Sequence, residues 1–227
     1  MILPRLVVLT DGSQTAGRDL VEVVAAAVAG GARAVVLREK DRPRSQRLAL
    51  AEDLRELLGG VQGTLIVASD VTIEADGVHL AGADPFPEAP PALVGRSCHG
   101  PESLAAAAAE GCTHAFLSPV FPTRSKPGYG PALGLAALAA SPLPTWALGG
   151  VVAANAGRCL GAGAAGVAVM GEIMRAGDPA EAAAGLLAAL SRPAFSLQAG
   201  AATTPRSGAP ARDRGRRGGP PTRPAQP

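Results

Sequence analysis

The sequence predicts an α/β fold, a compact (β/α)8 TIM barrel with shortened helices after strands three and four and a disordered C-terminal tail. Three observations lead there. Short apolar runs rich in Val and Leu recur eight times before residue 192. Most are followed by polar or Gly-rich residues and then by an Ala/Leu-rich segment with helical spacing. The runs are near-continuously apolar rather than alternating, as strands of a parallel sheet covered on both faces are. Eight such units in so short a chain suit one closed barrel. A doubly wound open sheet is the competing architecture.

In chain order, strands are expected at Arg5–Leu9, Ala34–Leu37, Thr64–Ala68, Gly77–Leu80, Leu93–Ser97, His114–Leu117, Thr145–Leu148 and Gly166–Val169. Apolar spacing predicts helices over Arg18–Ala29, Ser45–Leu58, Glu102–Glu110, Leu133–Ala139, Ala153–Leu160 and Pro179–Leu190. Two units are cut short. Between Asp70 and Asp76 there is room for about one helical turn, and the proline-rich stretch from Ala81 to Ala92 cannot form a regular helix.

Composition bounds the rest. With 227 residues, 47% of them hydrophobic, the chain can bury a sizeable core, so one barrel domain over 1–192 with a tail over 193–227 is expected rather than two domains. From Ala199 to Pro227 there are six Arg and one Asp, which leaves 15 Lys+Arg against 18 Asp+Glu in the remainder. The tail lacks apolar periodicity and is too polar to offset its ordering entropy, so it reads as disordered. Its arginines alone do not make nucleic acid an expected partner. The apolar stretch Ile2–Leu9 is broken by Pro4 and Arg5 and is too short to cross a bilayer, so no membrane is expected and the cytoplasm is the expected location. Three cysteines without C-x-x-C spacing indicate neither a disulfide framework nor a zinc site. Abundant Ala on the outer helices permits packing as a homo-oligomer.

In a (β/α)8 barrel the chemistry sits at the C-terminal strand ends, and here those ends are polar where the preceding runs are apolar. Arg38, Lys40 and Lys126, with the hydroxyls of Ser97, Thr123 and Ser125, would surround one locus with positive charge and donors, which suits a diphosphate. Asp70 and Asp84 follow consecutive strands, about 4.8 Å apart if paired, and could share a hard cation such as Mg2+. Gly149–Gly150 and Met170–Gly171 follow strands seven and eight, where barrels commonly bind a phosphate on backbone N–H groups. Blander readings stand beside these. Arg38-Glu39-Lys40 can be a charged strand end, Asp70 can cap a turn, His79 can be a structural histidine, and Cys98 reads as a small filler.

Taken together, LTDGS at Leu9–Ser13, LREK at Leu37–Lys40, Ser69-Asp70, DGVHL at Asp76–Leu80, GRSCH at Gly95–His99, SPVFPTRSK at Ser118–Lys126, ALGGV at Ala147–Val151 and GVAVMGEI at Gly166–Ile173 resemble the thiamine phosphate synthase superfamily, which also contains thiazole tautomerases. The resemblance runs from about Leu3 to Leu190. It implies an enzyme that joins hydroxymethylpyrimidine diphosphate to a thiazole phosphate and releases pyrophosphate, so its partners are small phosphorylated heterocycles. Arg38, Lys40, Ser97 and Lys126 would be catalytic and, with Ser69, Thr123 and Ser125, would contact the substrate. Asp70 and Asp84 would hold Mg2+, and Gly149, Gly150, Met170 and Gly171 would face the thiazole phosphate. Three positions depart from the synthase pattern: Val36 replaces a Gln, Ser69 an Asn, and Ala81–Ala83 a GQ-containing turn. The alternatives are a thiazole tautomerase with His99 as its acid/base group, or a non-catalytic phosphate-binding protein of the thiamine pathway.

Overall fold

The computed structural model describes residues 3–123 and 131–191. Eight parallel strands close a barrel in chain order: β1 (Leu6–Leu9), β2 (Ala34–Leu37), β3 (Thr64–Ala68), β4 (Gly77–Leu80), β5 (Leu93–Cys98), β6 (His114–Leu117), β7 (Thr145–Leu148) and β8 (Gly166–Val169). Strand β8 returns to β1 in register Val7 with Ala168, which excludes the open sheet. The helices are α1 (Leu20–Ala29), α2 (Arg44–Gly59), α3 (Pro101–Glu110), α4 (Ala153–Gly161), α5 (Gly171–Met174) and α6 (Pro179–Ser191).

Strand alternation divides the apolar residues into two shells. Val7, Leu9, Ala34, Val36, Ile66, Ala68, Leu93, Phe116, Trp146 and Ala168 fill the barrel. Their neighbours Leu6, Val8, Val35, Leu37, Leu65, Val67, Val78, Val94, Leu117 and Val167 face the helices. Both faces of each strand are therefore dry, which is why the runs are continuously apolar.

Helix ends follow local caps. Asp19 accepts the N–H groups of Val21 at 2.8 Å and Glu22 at 3.1 Å, so α1 starts at Leu20 rather than Arg18. Pro101 opens α3 at its first position, where its missing N–H has no helical partner to lose. No helix occurs between β3 and β4 or between β4 and β5, in line with the shortened units.

One helix needs correction. The α-helix expected over Leu133–Ala139 is a 3-10 turn at Leu135–Leu138, because Pro131 precedes it, Pro142 and Pro144 follow, and too few residues remain for α-helical hydrogen bonding. Two short elements were not foreseen, α5 and a 3-10 turn at Gly12–Gln14. No described helix is long and apolar enough to cross a membrane. The tail expected over 193–227 lies outside the described residues.

Candidate active site

A cavity of about 950 Å3 opens at the C-terminal mouth of the barrel. Arg38, Lys40, Ser97, His99, Thr123, Gly149, Gly150, Met170 and Gly171 all line it. Ser69, Asp70 and Asp84 are not among its lining residues. Ser125 and Lys126 lie outside the described residues.

The charged triplet after β2 is sorted by strand alternation. Arg38 and Lys40 face the cavity, whereas Glu39, 7% exposed, turns away and accepts the N–H of Gly12 at 3.1 Å and Arg42 Nε at 3.2 Å. The triplet is thus more than a charged strand end. Arg38 is steadied by Asp11 at 3.9 Å, and Asp11 also accepts Gln14 Nε2 at 2.6 Å. Gln14 in turn bonds Arg175, a cavity-lining cation that the sequence reading missed because α5 was not expected.

The floor is apolar, made by Leu9, Val36, Ala68, Leu148 and Ala168, with one polar pair. His79 Nε2 lies 2.9 Å from Ser97 Oγ, and the imidazole stacks on Phe116 with ring centroids 4.1 Å apart. His79 is therefore both a packed core residue and a wall of the cavity. Burial pushes its pKa well below the ordinary value, and the charges of His114, Lys40, Arg96 and Arg38 add to that effect. It is neutral at physiological pH. His99 sits at the rim with Nδ1 2.7 Å from the carbonyl oxygen of Ser118. Cys98 is fully buried, and burial raises its thiol pKa, so it acts as filler.

The opposite wall is backbone. Val120 N–H donates to Leu148 O at 2.9 Å and Phe121 N–H to Gly149 O at 3.0 Å, which lays residues 119–123 along the end of β7. Gly149 and Gly150 have φ of +91° and +65°, and a Cβ on Gly150 would collide with the Pro122 carbonyl oxygen and lie 2.8 Å from Phe121 Cβ. Both the left-handed backbone and the close approach require glycine there.

The two carboxylates lie outside the cavity lining. Asp70 Oδ1 accepts Thr72 N–H at 3.1 Å and Thr72 Oγ1 at 2.6 Å, while Oδ2 pairs with Arg47 at 3.1 Å and Arg44 at 3.8 Å. It therefore does cap a turn. Asp84 Oδ2 accepts Ala81 N–H at 2.7 Å, and Asp84 is also hydrogen-bonded by Ser69. Partial burial raises the pKa of each carboxyl, but these hydrogen bonds and the charges of Arg47 and Arg44 on Asp70, and of Lys40 and Arg96 on Asp84, leave both below the ordinary value.

Two ionised, hard carboxylates after paired strands suit Mg2+ in chemistry and number. No cluster of three or more His, Cys, Asp or Glu exists among the described residues. A cation here would complete its shell from substrate oxygens and water.

Ser69, between the two carboxylates, has φ of +59°. A left-handed residue other than Gly, Asn or Asp is strained by about 1 kcal/mol. Ser69→Asn is expected to raise unfolding stability by roughly 0.5–1 kcal/mol, since Asn tolerates this conformation and its amide can still donate to Asp84. An unchanged or lower midpoint in urea denaturation would contradict this.

A closed (β/α)8 barrel whose mouth gathers cations, hydroxyls and glycine turns defines the class of the protein. Within that class the chain belongs to the thiamine monophosphate synthase family, whose model matches residues 6–173. It is 40% identical over 196 residues to the thiamine-phosphate synthase of Methanoculleus marisnigri, covering 80% of this chain and 92% of that protein. It is 37% identical over 187 residues to the thiamine-phosphate synthase of Roseiflexus castenholzii, covering 76% and 82%. Thiamine phosphate pyrophosphorylase from Pyrococcus furiosus superimposes with a TM-score of 0.73 at 28% identity, over 82% of this chain and 95% of that one. The resemblance noted in the motifs is thus a family relationship.

Proposed function

We propose that this chain is a thiamine-phosphate synthase, joining hydroxymethylpyrimidine diphosphate to a thiazole phosphate with release of pyrophosphate. The observation that carries the reading is the convergence of Arg38, Lys40, Ser97, Thr123 and the Gly149–Gly150 turn on one cavity in a chain of this family. Arg38, Lys40, Ser97 and Thr123, with Ser125 and Lys126, hold the diphosphate. The backbone at Gly149, Gly150, Met170 and Gly171 receives the thiazole phosphate. Asp70 and Asp84 would hold Mg2+, which when bound would supply positive charge next to the leaving pyrophosphate.

The bond between the pyrimidine methylene carbon and the diphosphate oxygen breaks, and its electron pair leaves with pyrophosphate. The thiazole nitrogen lone pair forms the new carbon–nitrogen bond. No proton is transferred in that exchange, so no nucleophile–base pair is required. The protein contributes fixed positive charge against the leaving group and alignment of the two rings. The apolar floor around Val36 takes the pyrimidine by contact, with Ser97 and its partner His79 as the polar groups on that side. We place this activity in a single barrel domain over 1–192, working in the cytoplasm on small phosphorylated heterocycles and without nucleic acid or membrane. Homo-oligomeric packing through the Ala-rich outer helices belongs to the same proposal.

The test is formation of thiamine phosphate from the two substrates and Mg2+. The parent should turn over. Lys126→Ala and Asp70→Ala should each lose roughly 100-fold or more in kcat, and chelation should stop the reaction. A folded parent that forms no product overturns the reading and directs the next assay to thiazole tautomerisation with His99→Ala.

A further inference from the structure

A connection without a helix leaves carbonyls packed against the barrel that still need donors. In the β4–β5 connection the donor is Arg96. It follows Gly95 and precedes Ser97 on β5, so while Ser97 turns into the cavity, Arg96 turns outward. There it is 5% exposed, under a connection whose prolines prevent a helix. Its Nη1 donates to Ala81 O at 2.8 Å, Asp84 O at 2.9 Å and Gly82 O at 3.3 Å. Its Nη2 pairs with Glu110 Oε2, on the last residue of α3, at 2.8 Å. One guanidinium thus ties the turn after β4 to the helix after β5.

The turn it holds carries two parts of the site. Ala81, Gly82 and Ala83 line the cavity, and Asp84 presents its carboxylate from the same four residues. Asp84 N–H donates back to Ala81 O at 3.1 Å, so the turn is closed on itself and anchored from below. A lysine could not reproduce this, because Nη1 serves the carbonyls while Nη2 serves the Glu110 carboxylate, and one ammonium nitrogen cannot occupy both places.

We infer that Arg96 is a positioning residue that fixes the 81–84 turn, and through it the Asp84 carboxylate and one wall of the cavity, in place of the missing helix. The link from Asp84 to the cation rests on the proposed synthase reading; the fixing of the turn does not.

The experiment compares the parent with Arg96→Met and Arg96→Lys. It follows amide hydrogen exchange at Ala81 and Asp84, Mn2+ binding by electron paramagnetic resonance as a stand-in for Mg2+, and the KM of each substrate. Both variants should retain the circular dichroism of the barrel, with exchange at these two amides ~10-fold faster and Mn2+ affinity ~10-fold weaker. The KM for the pyrimidine diphosphate should rise while that for the thiazole phosphate holds. Should Arg96→Met not fold, Arg96→Lys carries the same comparison.

Exchange and Mn2+ affinity within twofold of the parent in a folded variant would overturn the inference. So would faster exchange spread evenly over the barrel, which marks a general loss of stability. A parent that makes no thiamine phosphate, in a series where exchange still rises at Ala81 and Asp84 alone, refutes the synthase reading and leaves the clamp standing.

Discussion

Replacing Gly150 by alanine should lower the rate of thiamine phosphate formation by roughly 100-fold, the effect expected of misplacing a reacting group by about 1 Å. The cause is packing rather than lost charge. The new Cβ would collide with the Pro122 carbonyl oxygen and lie 2.8 Å from Phe121 Cβ, and residues 119–123 are held to the end of β7 by backbone bonds at Leu148 and Gly149. That segment must move away, taking Thr123 with it. The left-handed backbone adds strain of its own, so stability should fall by about 2–4 kcal/mol in total. Gly17→Ala is the control, since Gly17 has φ of +82° but nothing within 4 Å of a Cβ. It should lose about 1 kcal/mol and keep the parent rate. Steady-state kinetics on both variants decide the matter, and a Gly150→Ala rate within threefold of the parent would refute the argument.

Acid should weaken the fold at a pH above the range in which Asp70 and Asp84 titrate. His114 is buried beside Trp146 and Phe116, and burial lowers its pKa from 6.5 to about 4. The unfolded chain therefore binds a proton more readily than the folded one. The stability this group contributes is complete above pH ~6.5 and is lost as the pH falls towards ~4, by about 3 kcal/mol in all. His79, depressed for the same reason, adds in the same direction. Asp70 and Asp84 lie below the ordinary carboxylate value, so their losses come at lower pH and leave this window clear.

His114→Phe should flatten the slope between pH 6.5 and 4.5. It removes the buried titrating group, while the Thr113 hydroxyl keeps its bond to Val94 O at 3.0 Å. Urea unfolding across that range is the measurement. A parent whose stability does not fall there, or a variant with the parent's slope, would show that the ring does not remain neutral by burial.

The strands were the most legible feature. Six of the eight expected ranges match the observed bounds, because a strand dry on both faces must be apolar at every position and ends where polarity returns. Helix ends were less legible, since a cap such as Asp19 decides them by one side chain. The 3-10 turn at Leu135–Leu138 and the four-residue α5 escaped because a single turn has no periodicity to read. Missing α5 also hid Arg175 from the site.

The sequence by itself determined the barrel, the family and strand-end residues such as Arg38, Lys40 and Ser97 that meet at the mouth, because strand parity and order place these without reference to their neighbours. Only the tertiary structure decided what each group touches. Asp70 is held by Arg47, His79 takes Ser97, and Arg96, read from sequence as part of a motif, clamps the turn bearing Asp84. Such partners come from distant parts of the chain, and their choice depends on side-chain packing that local sequence patterns do not encode.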